Sequence, residues 1–175
     1  MEVGELLGSG RTADVYAIDD ERVLRRYRIP IDARREAAVI AHVAGHGYPV
    51  PELYPDAGAS ADPGDRVLHL DLHPDNVMLT ARGPVVIDWC NSQDGPPGFD
   101  CAMSAVIFAQ AAVDEVEVAE VARRGLVALV AGLGSAMDFG EGLDRAGARR
   151  AADRALTERE AGLVDAAVEL IRGLR

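Results

Sequence analysis

His69-Leu70-Asp71-Leu72-His73-Pro74-Asp75-Asn76 runs into Val77-Met78-Leu79-Thr80, and after a short gap comes Val85-Val86-Ile87-Asp88-Trp89. This stretch decides the reading of the chain. Two short apolar segments that close separated by turn residues predict a β-hairpin. Asp71 and Asn76 fall in a loop that Pro74 keeps out of regular structure, and Asp88 ends a wholly apolar strand. The hairpin therefore gathers three polar side chains of the kind that handle protons and hard cations.

Working outward, the 175 residues are enough for one domain with a real core, which needs neither disulfide nor metal to fold. Cys90 and Cys101 form no Cys-x-x-Cys pair, and no leader-like segment opens the sequence, so the expectation is a reduced, cytoplasmic protein. No apolar run reaches the roughly 18 residues of a membrane span. The net charge of −11 disfavours nucleic-acid backbones and anionic membranes. It admits a cationic small-molecule partner, although keeping the chain in solution is the plainer role of the acidity. All 18 basic residues are Arg. Without lysine there is neither Schiff-base chemistry nor a Gly-Lys-Ser/Thr phosphate loop. Nothing in the composition sets an oligomeric state.

Upstream, Gly8-Ser9-Gly10 precedes a strand-like alternation through Val15-Tyr16, and Arg22 to Arg28 reads as the next strand. The glycines thus lie in a hairpin and not at the opening of a helix, which removes the dinucleotide fingerprint. Glycines at 8 and 10 let backbone N–H groups approach a phosphate, but Gly-x-Gly between strands is more often only a turn. Strand alternation turns one of Arg25 and Arg26 inward. A helix is expected over about 33–45, with Asp32 as N-cap, an apolar stripe of Ala33, Ala37, Ile40 and Ala44, and Glu36 in its first turns. His42 and His46 on that helix read as surface residues. A short strand is expected at 52–54. The Pro, Gly, Ala and Asp run from Pro55 to Asp65 is the lobe boundary, dividing 1–60 from 61–175. From Phe99 onward three-four spacing predicts helices over 99–114, 116–131 and 143–174, the last interrupted at Thr157, whose Glu160 partner makes a capping box.

Phosphoryl transfer requires a proton acceptor for the substrate hydroxyl, oxygen ligands for Mg²⁺ and donors for a triphosphate. Asp71 suits the first role, and Asn76 and Asp88 suit the second. Turn formation alone would also place Asp and Asn in such a loop. Against that stands the upstream series of Gly-rich hairpin, strand cation and helix glutamate, in the order such a site needs.

These motifs resemble the aminoglycoside phosphotransferase and choline-kinase-like family, small-molecule relatives of the protein kinases. The resemblance rests on His69-x-Asp71-Leu72-His73-Pro74-x-Asn76-Val77 and Val86-Ile87-Asp88-Trp89, supported by Phe99-Asp100-x-Ala102 and by Gly8-Ser9-Gly10 with Val15-Tyr16. It implies Asp71 as catalytic aspartate, Asn76 and Asp88 as metal ligands, and ATP with Mg²⁺ as cofactors. Gly8, Ser9 and Gly10 would lie over the phosphates. Arg25 takes the place of the usual phosphate-binding lysine, and Glu36 that of its helix partner. Asp100 matches a family aspartate, although an N-cap role for the following helix explains it equally well. Between Tyr54 and Val67 the chain is shorter than the family pattern by an apparent internal deletion, which would remove the adenine-binding hinge.

The expected fold is α+β and protein-kinase-like: a reduced N-terminal hairpin-and-helix lobe, a catalytic hairpin and a mainly helical C-terminal lobe. The expected function is ATP-dependent phosphorylation of a hydroxyl on a small molecule. A competing reading is an inactive remnant that has lost the hinge. A third, a metal-dependent hydrolase, rests on the alternation of His69, Asp71, His73 and Asp75, which Pro74 interrupts.

Overall fold

A computed structural model describes residues 4–10, 13–28, 33–53, 67–115, 117–134, 139 and 142–174. It is a mixed α+β structure with small sheets, and the chain divides into two units, residues 1–33 and 34–175. The lobe boundary expected near residue 60, the Asp32 cap and the shortened stretch between Tyr54 and Val67 lie outside the described residues.

The first unit is a three-stranded antiparallel sheet of β1 (Leu6–Ser9), β2 (Ala13–Ala17) and β3 (Val23–Tyr27) in sequence order. The Gly10 N–H donates to the Ala13 carbonyl at 2.9 Å, closing the first hairpin. The second is closed by the Asp19 carboxylate, which accepts from the backbone N–H groups of Glu21 (3.1 Å) and Arg22 (2.8 Å). Such a local side-chain acceptor makes Asp a turn former.

In the second unit, α1 (Ala33–Gly45) buries Glu36, Ala37, Ala38, Val39, Ile40 and Val43. The buried face is set by the larger residues, and Ala33 and Ala44, assigned to the stripe from spacing, are exposed. Val39, Ile40 and Val43 pack with Val86 and Trp89 in a small cluster. The expected strand at 52–54 is absent at 52 and 53, and Tyr54 is not described.

The central hairpin forms as read: β5 (Val77–Thr80) pairs with β6 (Gly83–Val86), joined by a two-residue turn. Gly83 takes φ +109° there, a conformation glycine adopts without cost. A two-stranded ladder of β4 (Val67–Leu68) and β7 (Gln93–Asp94) flanks it.

The main core forms around α2 (Pro97–Val113), whose Ala102, Ala105, Val106 and Ala109 are fully buried. Small residues along α2 let α3 (Ala119–Leu133), α4 (Gly142–Ala151) and α6 (Val164–Arg172) pack close to it. Between α4 and α6, α5 (Glu158–Gly162) begins with the expected capping box of Thr157 and Glu160. Among the described residues no helix is long and apolar enough to cross a membrane.

Candidate active site

The loop before the hairpin is held from several sides. Leu70, 2% exposed, has φ +64°, a conformation that costs a branched side chain of order 1–3 kcal/mol unless its surroundings impose it. Asp100, in the first turn of α2, imposes it: its carboxylate accepts from the N–H of Leu70 at 2.6 Å and of His69 at 3.0 Å. Asp100 is therefore not the N-cap of α2, a position held by Pro96. Its function is to clamp a loop thirty residues upstream.

His69 then connects this loop to the segment beyond β6. The Asp71 N–H points at His69 Nδ1 at 3.2 Å, so Nδ1 is the acceptor and the proton sits on Nε2, which donates to the Ile87 carbonyl at 2.9 Å. Trp89 packs edge-on against the ring, with centroids 4.7 Å apart. With both nitrogens engaged, His69 is not available as a metal ligand. The alternation of His69, Asp71, His73 and Asp75 on one strand face also fails, because residues 69–73 form no strand. Among the described residues no group of three or more His, Cys, Asp or Glu side chains is placed to hold a metal ion.

Asn76 lies at the end of the 3₁₀ turn Pro74–Asn76 that Pro74 opens. Its side-chain Nδ2 donates to the Asp71 carbonyl oxygen at 2.8 Å and lies 3.5 Å from Asp71 Oδ2. That fixes the amide and leaves its oxygen, the atom a hard cation takes, on the opposite edge. The Asn76 carbonyl in turn accepts from the Ile87 N–H at 3.0 Å, which brings the Asp88 segment alongside. β6 ends at Val86, not at Asp88 as the apolar run suggested; Asp88 lies beyond it at φ +64°. The Cys90 thiol donates to Asp88 Oδ1 at 2.8 Å.

Burial raises the Asp71 carboxyl above its ordinary value; His73, Arg150 and His69 pull it down, while the Asp88 carboxylate adds to the rise. His73 Nε2 is 3.9 Å from Asp71 Oδ1. Arg150 Nη1 is 4.0 Å from the same oxygen, brought there by the last turn of α4. Sequence reasoning missed Arg150, since on an amphipathic helix it reads as one more solvated charge. Its partner across the fold is Gln110 on α2, whose Oε1 accepts from Arg150 Nε at 2.8 Å.

The remaining candidates are spread over both units. In the first, Gly8 pairs with Val15 and Val15 with Arg25, so one cross-strand row carries Gly8 and Arg25. Arg25 is half-buried with its guanidinium 4.9 Å from the Tyr27 ring centroid, and Arg26 is exposed. A Cβ added at Gly8 would meet nothing within 4 Å, and at Gly10 only the Ala13 carbonyl at 3.6 Å. Packing within the sheet does not demand glycine at either position. Ser9 Oγ donates to Asp14 Oδ1 at 2.7 Å. Glu36 belongs to the second unit, where it is buried on α1 at 7% exposure. His42 on that helix and His46 in the turn just beyond its end, with ring centroids 4.6 Å apart, form a local pair.

Compared with known proteins, residues 3–65 and 56–139 match the model of the phosphotransferase enzyme family APH, in two pieces that overlap at 56–65. The chain has no match among the curated proteins or among the solved structures.

Proposed function

The chain belongs to the phosphotransferase enzyme family, and from that premise we propose that it moves the terminal phosphoryl group of a nucleoside triphosphate, ATP, to the hydroxyl of a small molecule. The arrangement that carries this reading is the fixing of Asp71, whose own N–H and carbonyl are both bonded and whose neighbour Leu70 is clamped by Asp100. A residue whose backbone is fixed on both sides presents its carboxylate from a defined place, as proton transfer needs, whereas a turn former would need one local bond. The α+β plan, with its hairpin ahead of a helical half, supports a protein-kinase-like fold.

The acceptor's hydroxyl oxygen attacks the terminal phosphorus. The new O–P bond forms as the bond to the bridging oxygen breaks, the electron pair leaves with the nucleoside diphosphate, and the hydroxyl proton goes to Asp71. Its raised pKa makes it a better acceptor than a surface carboxylate. Asn76 and Asp88 are oxygen donors suited to Mg²⁺, and the amide orientation set by Asp71 fits that use. When bound, the ion supplies positive charge beside the phosphoryl oxygens. In the first unit, glycine at 8 and 10 puts no side chain in the way of a phosphate, with Arg25 in the same cross-strand row as Gly8 to supply a permanent cation. The second reading, a remnant without nucleotide affinity, rests on the short stretch between Tyr54 and Val67, where the family pattern has its adenine-binding hinge.

Thermal melting in Mg-ATP separates the two. A ligand at 100 times its dissociation constant adds about 2.7 kcal/mol to the native state, so saturating Mg-ATP raises Tm under the first reading. No shift across millimolar Mg-ATP favours the remnant.

A further inference from the structure

The net charge of −11 does not describe the surroundings of Asp71. A cleft of about 390 Å³ opens beside it, and the charged residues on its walls are Asp71, Arg149, Arg150, Asp153 and Arg154. On the walls of this cleft guanidinium groups outnumber carboxylates by three to two, the reverse of the chain as a whole. Arg150 is mounted with care. Its Nε is bonded to Gln110, which is 5% exposed and whose Nε2 donates to the Glu160 carbonyl at 2.6 Å. A buried amide braced on a helix start thereby sets the direction of the guanidinium. Its Nη1 then stands 4.0 Å from Asp71 Oδ1 and 3.5 Å from Asp153 Oδ2. At 4.0 Å Arg150 stands beside the Asp71 carboxylate, close enough for one bound molecule to address both.

We propose that this cleft is the acceptor pocket, and that the acceptor is an alcohol bearing its own oxyanion, a carboxylate or phosphate, which Arg150 takes while Asp71 faces the hydroxyl. Arg149 and Arg154 add positive charge at the walls. The short Asp71 to Arg150 distance requires the oxyanion to lie within a few bonds of the reacting hydroxyl. A cationic acceptor, which the overall charge would favour, meets a surplus of guanidinium here, and one of the two carboxylates must also receive the proton. The proposal rests on the phosphotransferase reading with Asp71 at the hydroxyl.

The test compares four alcohols of similar size at constant ionic strength: glycerate, glycerol 3-phosphate, glycerol and serinol. Each is added to the full chain with Mg-ATP, and nucleoside diphosphate release is followed. The expected result is stimulation by glycerate or glycerol 3-phosphate, the better of the two naming the oxyanion. Their kcat/KM should exceed that of glycerol and serinol by about 10-fold or more, as one charge-assisted contact provides. Arg150→Gln should raise KM for the stimulating acceptor about 10- to 100-fold, with Arg150→Lys restoring part of it. Arg154→Gln, at an exposed position, should raise it in the same direction by less, and it keeps the test valid if Arg150→Gln lowers stability. Stimulation by glycerol or serinol equal to or above that of the anionic pair overturns the proposal, as does no stimulation by any of the four. Either of these results alongside a Mg-ATP melting shift leaves the phosphotransferase reading standing; no shift removes both.

Discussion

Asp100 Oδ1 accepts the backbone N–H of Leu70 at 2.6 Å, and this single bond joins the start of the central helix to a left-handed turn that directly precedes Asp71. The carboxylate also takes the His69 N–H, so two buried donors and one strained residue depend on it. Asp100→Ala leaves both donors without a charged acceptor. It should cost about 2–4 kcal/mol, at roughly 1.5–3 kcal/mol for each charge-assisted bond less what water recovers. In a chain of this size that is a fall of about 4–16 °C in Tm. Thermal melting measures it, and a fall under 2 °C would show that Leu70 is held by other means.

The raised pKa of Asp71 predicts a pH-dependent penalty on folding. Its carboxyl is lifted by burial above its unfolded value, so its ionisation favours the unfolded chain. The stability it retains at low pH is lost as pH rises through its folded pKa. Asp71→Asn should therefore melt higher than the wild type above the carboxylate range, and the difference should shrink as pH falls through that range. His73, Arg150, His69 and Asp88 face the group and are unchanged by the substitution. A variant melting lower at pH 8 would mean that the attraction of Arg150 outweighs burial.

Asp88 lies at φ +64°, where Asn is tolerated and most side chains are not. Asp88→Asn should fold with Tm within a few degrees of the wild type, yet need a Mg²⁺ concentration about 10-fold or more higher for half-maximal turnover. Titrating Mg²⁺ against ATP turnover checks this. An unchanged half-saturating Mg²⁺ concentration would remove Asp88 from the metal site.

Much of this is legible in the sequence, where the determining contacts are local. The Thr157 and Glu160 capping box formed as the spacing required, because both partners lie within one helical turn. The 77–86 hairpin followed from two apolar segments and a tight turn. The expected alternation over His69 to Asp75 failed because period-two reasoning assumes extended backbone at every residue, and Asp100 turns Leu70 left-handed from α2. The same limit applies at Asp88, where the apolar run continues after the strand has ended. The place of Arg150 depends on Gln110, forty residues earlier, and on helix packing that brings α4 against α2. No local pattern marks it out from the seventeen other arginines.

The central claim is that Asp71 takes the hydroxyl proton in phosphoryl transfer, and the most direct measurement is the turnover of Asp71→Ala with Mg-ATP and the acceptor that stimulates the wild type best. Removing a positioned proton acceptor should lower turnover by about 10²- to 10⁴-fold, while the Mg-ATP melting shift, which reports nucleotide binding, stays as in the wild type. Turnover within twofold of the wild type, in a variant that still binds Mg-ATP, would contradict the account.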